Sequence, residues 1–243
     1  MWLGMNKNKL VGIHQPNFFP WIGYFNKISR SDLFVILDDV QFPKSGGVWV
    51  NRNSILQNGK ERWATVPISR QFSGTKNINE IKFAQDINWR KSYLNLIRNS
   101  YITAKYFSDA YEFLEDSINW DTEYLCELNI HLIKSVLQEL DIIVPTFIKS
   151  SSLNKSGKSN ILLCSLIKSV GGDTYLCGGG ANSYMDESIF KANNIDIIYQ
   201  NYMPVAYPQI NSLKFYPGLS IIDALMNCGF TKTKALVLGE RNV

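Results

Sequence analysis

His14 ends a short apolar run, Leu10-Val11-Gly12-Ile13, and the acidic pair Asp38-Asp39 ends a second, Leu33-Phe34-Val35-Ile36-Leu37. Imidazole is the side chain best matched to proton transfer or anion contact near neutral pH. A carboxylate beside it could orient the ring, accept a proton from an amine or bind a sugar hydroxyl. Neighbouring side chains of an extended chain point to opposite faces, so Asp38 and Asp39 are not expected to work as a matched pair. Either one of them faces the chemistry or both cap the loop that begins at Val40. The other histidine, His131, shares a helix face with Glu127, Lys134 and Gln138 opposite an apolar stripe, and is expected to be solvated.

Short elements must position these groups. The first run is too short for a helix and meets breaker chemistry at once, Gln15-Pro16-Asn17 and then Pro20, so it reads as a buried strand. Trp21, Phe25 and Ile28 recur at helical spacing, and Leu33 to Leu37 is a second run of strand length. This is a βαβ unit. Strands joined by a crossover helix run parallel, and open α/β sheets usually bind ligands at the carboxyl edge. His14 and the Asp38-Asp39 pair are therefore expected to share one crevice.

Further candidates lie around that crevice. Gln15 and Asn17 follow His14 directly, and Gln41, Asn51, Arg52 and Asn53 offer amide and guanidinium donors suited to sugar or phosphate. Among Phe18, Phe19, Trp21, Tyr24 and Phe25 some rings must be core, while Trp21 or Tyr24 could stack on a sugar or base. A second candidate site is Thr174-Tyr-Leu-Cys-Gly-Gly-Gly-Ala-Asn-Ser-Tyr, a strand running through Gly178, Gly179, Gly180 and Asn182 into a helix. Glycines let backbone approach a ligand, and a helix start offers free N–H groups to an anion. The segment is neither a P-loop nor a full dinucleotide fingerprint. Cys177, at the strand end, could carry a lowered thiol pKa or be an inert buried cysteine. Ser183 with Asp186, and Ser220 with Asp223, read as capping boxes. The stretch from Lys149 to Asn160 is either a basic lid over a phosphate or a solvated connection.

The rest of the chain fits one α/β domain over residues 1–243. It is read as a mainly parallel, Rossmann-like sheet with helical crossovers and a helical insertion at about 86–140. A loop after Phe42 leads to expected strands Arg62 to Ile68 and Ile78 to Phe83. Three helices follow, broken near Lys105 and Trp120-Asp121. Then come strand Ile142 to Ile148, helix Ile161 to Val170, strand Thr174 to Cys177, helix Tyr184 to Asn193 and strand Asp196 to Tyr199. A last helix, Leu219 to Cys228, is expected to stop at Gly229. The 25 basic and 21 acidic residues are scattered rather than gathered into a stripe, so nothing asks for nucleic acid. Four cysteines without CxxC spacing, a start without a signal-peptide core and no span-length apolar stretch fit a cytoplasmic protein with no integral membrane segment. No metal site and no tightly bound cofactor are expected.

The segments IHQPNFFPWIGYFNKI, SDLFVILDDVQF, NRN with WATVP, YLCGGGANSYMDESIF, YPQ and LSIIDALMNCG together resemble the WbqC-like family of bacterial polysaccharide gene clusters. The family pattern falls on His14, Gln15, Pro16, Pro20, Trp21, Gly23, Tyr24, Asp38, Asp39, Gln41, Asn51, Arg52, Tyr207, Gln209, Ser220 and Asp223. Cys177 stands where a serine or another small residue is expected. The resemblance implies a protein of O-antigen, lipopolysaccharide or capsule assembly that works near amino sugars bearing acyl or aminoacyl groups. The leading expectation is an acyltransferase forming an amide on the amine of a nucleotide-linked deoxyamino sugar. His14, Asp38 and Asp39 would be catalytic, and the donor a thioester on coenzyme A or a carrier protein. The strand, histidine loop, helix, strand order also looks like ligases and nucleotidyltransferases of the HIGH-motif type, which use ATP and Mg²⁺, although one histidine is present rather than two. A non-catalytic partner of the same pathway is the third expectation.

Overall fold

In a computed structural model, which describes residues 9–43, 49–85, 88–143, 145–179 and 185–240, the chain order is β1 (Leu10–His14), α1 (Ile22–Ser29), β2 (Leu33–Ile36), β3 (Arg52–Gln57) and β4 (Lys60–Thr65). Helices α2 (Trp89–Tyr101), α3 (Phe107–Ile118) and α4 (Leu125–Glu139) come next, then β5 (Thr146–Lys149), α5 (Ser159–Ser169), β6 (Thr174–Cys177), α6 (Glu187–Ala192), β7 (Asp196–Tyr199) and α7 (Ile221–Leu238). The chain divides into two compact units. The first takes residues up to His14, Lys27–Leu37 and Pro145–Tyr202; the second takes Gln15–Asn26, Asp38–Val144 and Met203 onward.

The first unit is a five-stranded sheet in the order β5-β2-β1-β6-β7, with every pair parallel. This is the α/β, Rossmann-like architecture expected. Val11, Ile13, Leu33 and Val35 pack with Leu166, Ile167, Tyr175 and Phe190 in its core. Backbone and side chains are close at Gly12, where a Cβ would stand 2.4 Å from Ser31 Oγ and 2.7 Å from the Phe34 ring, so only glycine fits. From β1 the chain winds outward to β2 and β5, then returns to the far side of β1 for β6 and β7. The strand order therefore reverses between β1 and β6.

The second unit holds helices α2, α3, α4 and α7 and the antiparallel β3–β4 hairpin. The three-helix expectation holds, with breaks at the expected places. The hairpin differs: Arg52 to Gln57 is a strand rather than a loop, turned by Asn58 and Gly59 at φ 51° and 71°. Ile78–Glu80 is a single 3₁₀ turn, not a strand. Gly229 does interrupt the last helix, at φ 73° and ψ 178°, but helix resumes beyond it to Leu238. A Cβ at Gly229 would lie 2.8 Å from the Tyr106 ring. Among the described residues, no helix is long and apolar enough to cross a membrane.

Candidate functional site

The carboxyl edge of the parallel sheet contains the first group of candidates. β1 stays paired to β2 through His14 and Ile36, and β6 to β7 through Cys177 and Tyr199, whereas the β1–β6 ladder ends at Gly12 and Leu176. The strands thus part where the order reverses, the place at which open α/β sheets take ligands. His14 is partly exposed at this edge, and its carbonyl accepts from Leu37 N at 2.8 Å. Cys177 is fully buried, and its thiol donates to the Gly178 carbonyl at 3.6 Å. Burial pushes that thiol upward, with partial relief from Lys27, which is the reverse of nucleophile activation. Gly178 and Gly179 have open space where a Cβ would stand. Gly180 and Asn182 lie outside the described residues.

Lys27 was not among the expected site residues. It lies on α1, the crossover helix of the βαβ unit, 3% exposed, with Nζ donating to the Ile13 carbonyl at 2.8 Å and standing 5.4 Å from the centroid of the Tyr175 ring. Burial lowers its amine to about 8. Its place could have been read from spacing, since Lys27 follows Tyr24 by three residues and falls on the buried side of the helix.

In the second unit the chain after His14 is held at almost every residue. The Tyr24 hydroxyl donates to Gln15 O at 2.8 Å, Asn129 Nδ2 to Pro16 O at 2.9 Å, and Phe18 N to Trp49 O at 2.8 Å. Ser220 Oγ donates to Phe19 O at 2.7 Å and Ile221 N to Pro20 O at 2.9 Å. Phe19 keeps a positive φ of 38°, a conformation costing about 1–3 kcal/mol that persists only when its surroundings enforce it. Asn129, also missed, is a polar residue inside an apolar helical stripe; its Nδ2 reaches Val50 O as well, at 2.7 Å, and so ties the histidine loop to the Asn51 segment.

Several expected ligand contacts are internal instead. Tyr24 is 1% exposed and its hydroxyl is used on the loop, with burial raising its pKa, so it shapes the site and offers no open ring face. Asn17 is buried too. Asn51 Nδ2 bonds Val66 O at 3.1 Å, and Asn53 bonds Tyr93 and Ser220 at full burial. Asp38 is buried, its carbonyl taking Asn79 N at 2.9 Å, whereas Asp39 is partly exposed. Gln41 is exposed. Trp21, Trp49 and Trp63 form a run of edge-to-face contacts at 4.9 and 5.2 Å, and the Arg52 guanidinium lies 4.0 Å from the Trp63 ring centroid. Trp21 and Arg52 therefore keep partly exposed polarisable surface, with Trp49 and Trp63 added to the expected set.

The model of the WbqC-like protein family matches residues 15–235. The chain belongs to that family. It is similar to an uncharacterized protein, Rv1507c, of Mycobacterium tuberculosis, at 29% identity over 91% of this chain and 94% of that one. No solved structure matches.

In this WbqC-like protein the remaining motif residues form a buried network. Asp223, 0% exposed, accepts from Tyr101 at 2.9 Å, Tyr207 at 2.8 Å and Gln209 at 3.0 Å. Burial raises its pKa while these donors oppose the rise. The capping-box expectation thus holds for Ser220, which caps α7 at Ile222 N, but Asp223 serves the tyrosines instead. Asp186 itself caps α6, which starts later than expected, and Ser183 lies outside the described residues. The Lys149 to Asn160 stretch is a pinned turn: Ser150–Ser152 is 3₁₀, Lys155 bonds Ser150 O, and Ser156 N bonds Ser165 Oγ. His131 is only partly solvated; it stacks on Trp120 at 4.6 Å, and burial lowers its pKa.

Proposed function

We propose that the protein is a transferase that joins an acyl or aminoacyl group to the amine of a nucleotide-linked deoxyamino sugar during assembly of a bacterial surface polysaccharide. The observation that carries this reading is the setting of His14. It is partly exposed at the carboxyl end of a central parallel strand, where β1 and β6 part, and the loop that follows is bonded at successive residues. Membership of the WbqC-like family supports it further.

Amide formation needs a neutral amine. His14 takes a proton as the amine nitrogen attacks the acyl carbonyl; the C–N bond forms, the C–S bond of a thioester donor breaks, and the proton passes to the departing thiolate. To Asp38 or Asp39, which follow in sequence the β2 residue paired with His14, we assign the orientation of the imidazole. Trp21, Gln41 and Arg52 hold the sugar. We assign Gln15 to the nucleotide-linked sugar and the Gly178-Gly179 backbone to phosphate or the acyl oxygen. Asn17, Tyr24 and Asn51 support these groups from inside.

The test is mass spectrometry of nucleotide-linked amino sugars incubated with the protein and a panel of acyl and aminoacyl donors, with and without ATP and Mg²⁺. A mass gain matching an amide is expected with thioesters alone. Gain only with ATP and Mg²⁺ would replace the thioester by an acyl-adenylate. No gain with any donor, together with binding of the sugar nucleotide, would make the protein a non-catalytic partner.

A further inference from the structure

A lysine buried in a sheet core needs acceptors for three N–H donors or must give up its charge. Among the described residues Lys27 has one hydrogen-bond acceptor, the Ile13 carbonyl. That carbonyl belongs to the part of β1 no longer paired to β6, so the ladder does not consume it. The groups facing the amine are the Tyr175 ring and Cys177 on β6, with His14 the residue after Ile13 on β1; just past the end of α1 the Arg30 guanidinium is committed to Gln200 O at 2.6 Å. Among the described residues no carboxylate acts on it. Depth does not remove it from the edge. Ile13 is one residue from the strand end, a rise of about 3.3 Å, and a charge in a medium of low effective dielectric acts more strongly over such a distance than one in water.

We propose that Lys27 is the cation of this site, and that its ammonium, held at the parting of β1 and β6, receives the diphosphate of the substrate. The inference rests on the nucleotide-linked reading above. Diphosphate oxygens supply the acceptors that the fold leaves to one carbonyl, and the arriving negative charge favours the protonated amine. Ligand binding is then coupled to proton uptake. Burial lowers the Lys27 amine to about 8, and a bound diphosphate would keep it protonated to higher pH.

Isothermal titration calorimetry of the full chain with UDP, dTDP, GDP and CDP, from pH 7.0 to 9.5 in two buffers of different ionisation enthalpy, tests this. For the diphosphate that binds best, affinity should fall towards about tenfold per pH unit above pH 8, with uptake approaching one proton. Lys27→Met, which keeps the apolar stem, should weaken binding roughly tenfold or more at pH 7 and flatten the pH dependence. Binding by Lys27→Met equal to that of the wild type, or wild-type binding without proton uptake, would overturn the proposal. The two readings fail separately. Amide formation on an amino sugar by a protein that binds none of the diphosphates removes the Lys27 role alone, whereas Lys27-dependent diphosphate binding without transfer to any donor removes the transferase alone.

Discussion

Replacing Asn129 by leucine separates the support of the histidine loop from its chemistry. The amide Nδ2 bonds the carbonyls of Pro16 and Val50 at 2.9 and 2.7 Å, and Asn129 is 0% exposed. Leucine keeps the number of side-chain heavy atoms, though it is bulkier, and has no donor, so both carbonyls are left without this partner. A buried polar group so stranded costs about 1–3 kcal/mol. Two of them set a gross loss of about 2–6 kcal/mol. Against this, Asn129 Oδ1 is itself buried without a hydrogen-bond partner, and its removal together with the added apolar burial returns about 2 kcal/mol. The net expectation is a loss of about 2 kcal/mol in urea unfolding with an unchanged m value. The loop should also hold His14 less firmly, so kcat in the amide-forming assay should fall about tenfold or more while the acceptor KM changes little. A stability loss below about 0.5 kcal/mol would refute the bonding argument, and a full loss of stability with unchanged kcat would refute the link from this loop to His14.

Three other outcomes are expected. His14→Gln should abolish turnover while shifting unfolding by less than about 0.5 kcal/mol, since the ring is partly exposed and substitutions at such positions are usually well tolerated; normal rates would remove the assignment. Tyr101→Phe should cost more than Tyr207→Phe, about 3 against 2 kcal/mol in paired denaturation curves, because the Tyr101 hydroxyl both donates to Asp223 and accepts from Leu56 N at 3.0 Å; equal losses would contradict this. For Lys27 the folded amine lies at about 8 against an ordinary 10.5, so the unfolded chain binds more protons between those values and stability should rise with pH across that window. Lys27→Met should flatten the rise, whose span is about 3 kcal/mol at 1.36 per pH unit, and an identical pH profile in the variant would show that the amine is not displaced.

The βαβ unit and the later alternation were readable from sequence because continuous apolar runs bounded by breakers leave few alternatives. The β3–β4 hairpin was missed although Asn58-Gly59 is a strong turn signal, since Asn51, Arg52 and Asn53 look like loop residues when their partners are unknown. The same ambiguity put Tyr24, Asn51 and Asn53 on the ligand side. A polar side chain carries no mark of whether its hydrogen bond goes to a substrate or to a carbonyl distant in the chain. Gly229 reads as a stop because only the Tyr106 ring, more than a hundred residues earlier, shows that it is a kink under close packing. Lys27 and Asn129 were detectable in principle, each being a polar residue at an apolar helical position. Their partners, Ile13 O for one and Pro16 O with Val50 O for the other, were not.

The division of the parallel sheet along the chain bears on how it is made. β1 and β2 are synthesised early, but the strand that covers the outer edge of β2 comes only after the excursion Asp38–Val144, and the strand beside β1 later still. At about 5–20 residues per second, the ribosome needs roughly 5–20 s to deliver β5. During that interval two buried-type apolar strands lack both sheet neighbours, and the loop that must close before they gain them is long. Assembly of the parallel sheet is thus a late, non-local and slow event. Nascent chains held short of Thr146 should therefore be the species that chaperones bind and that aggregates when they are absent.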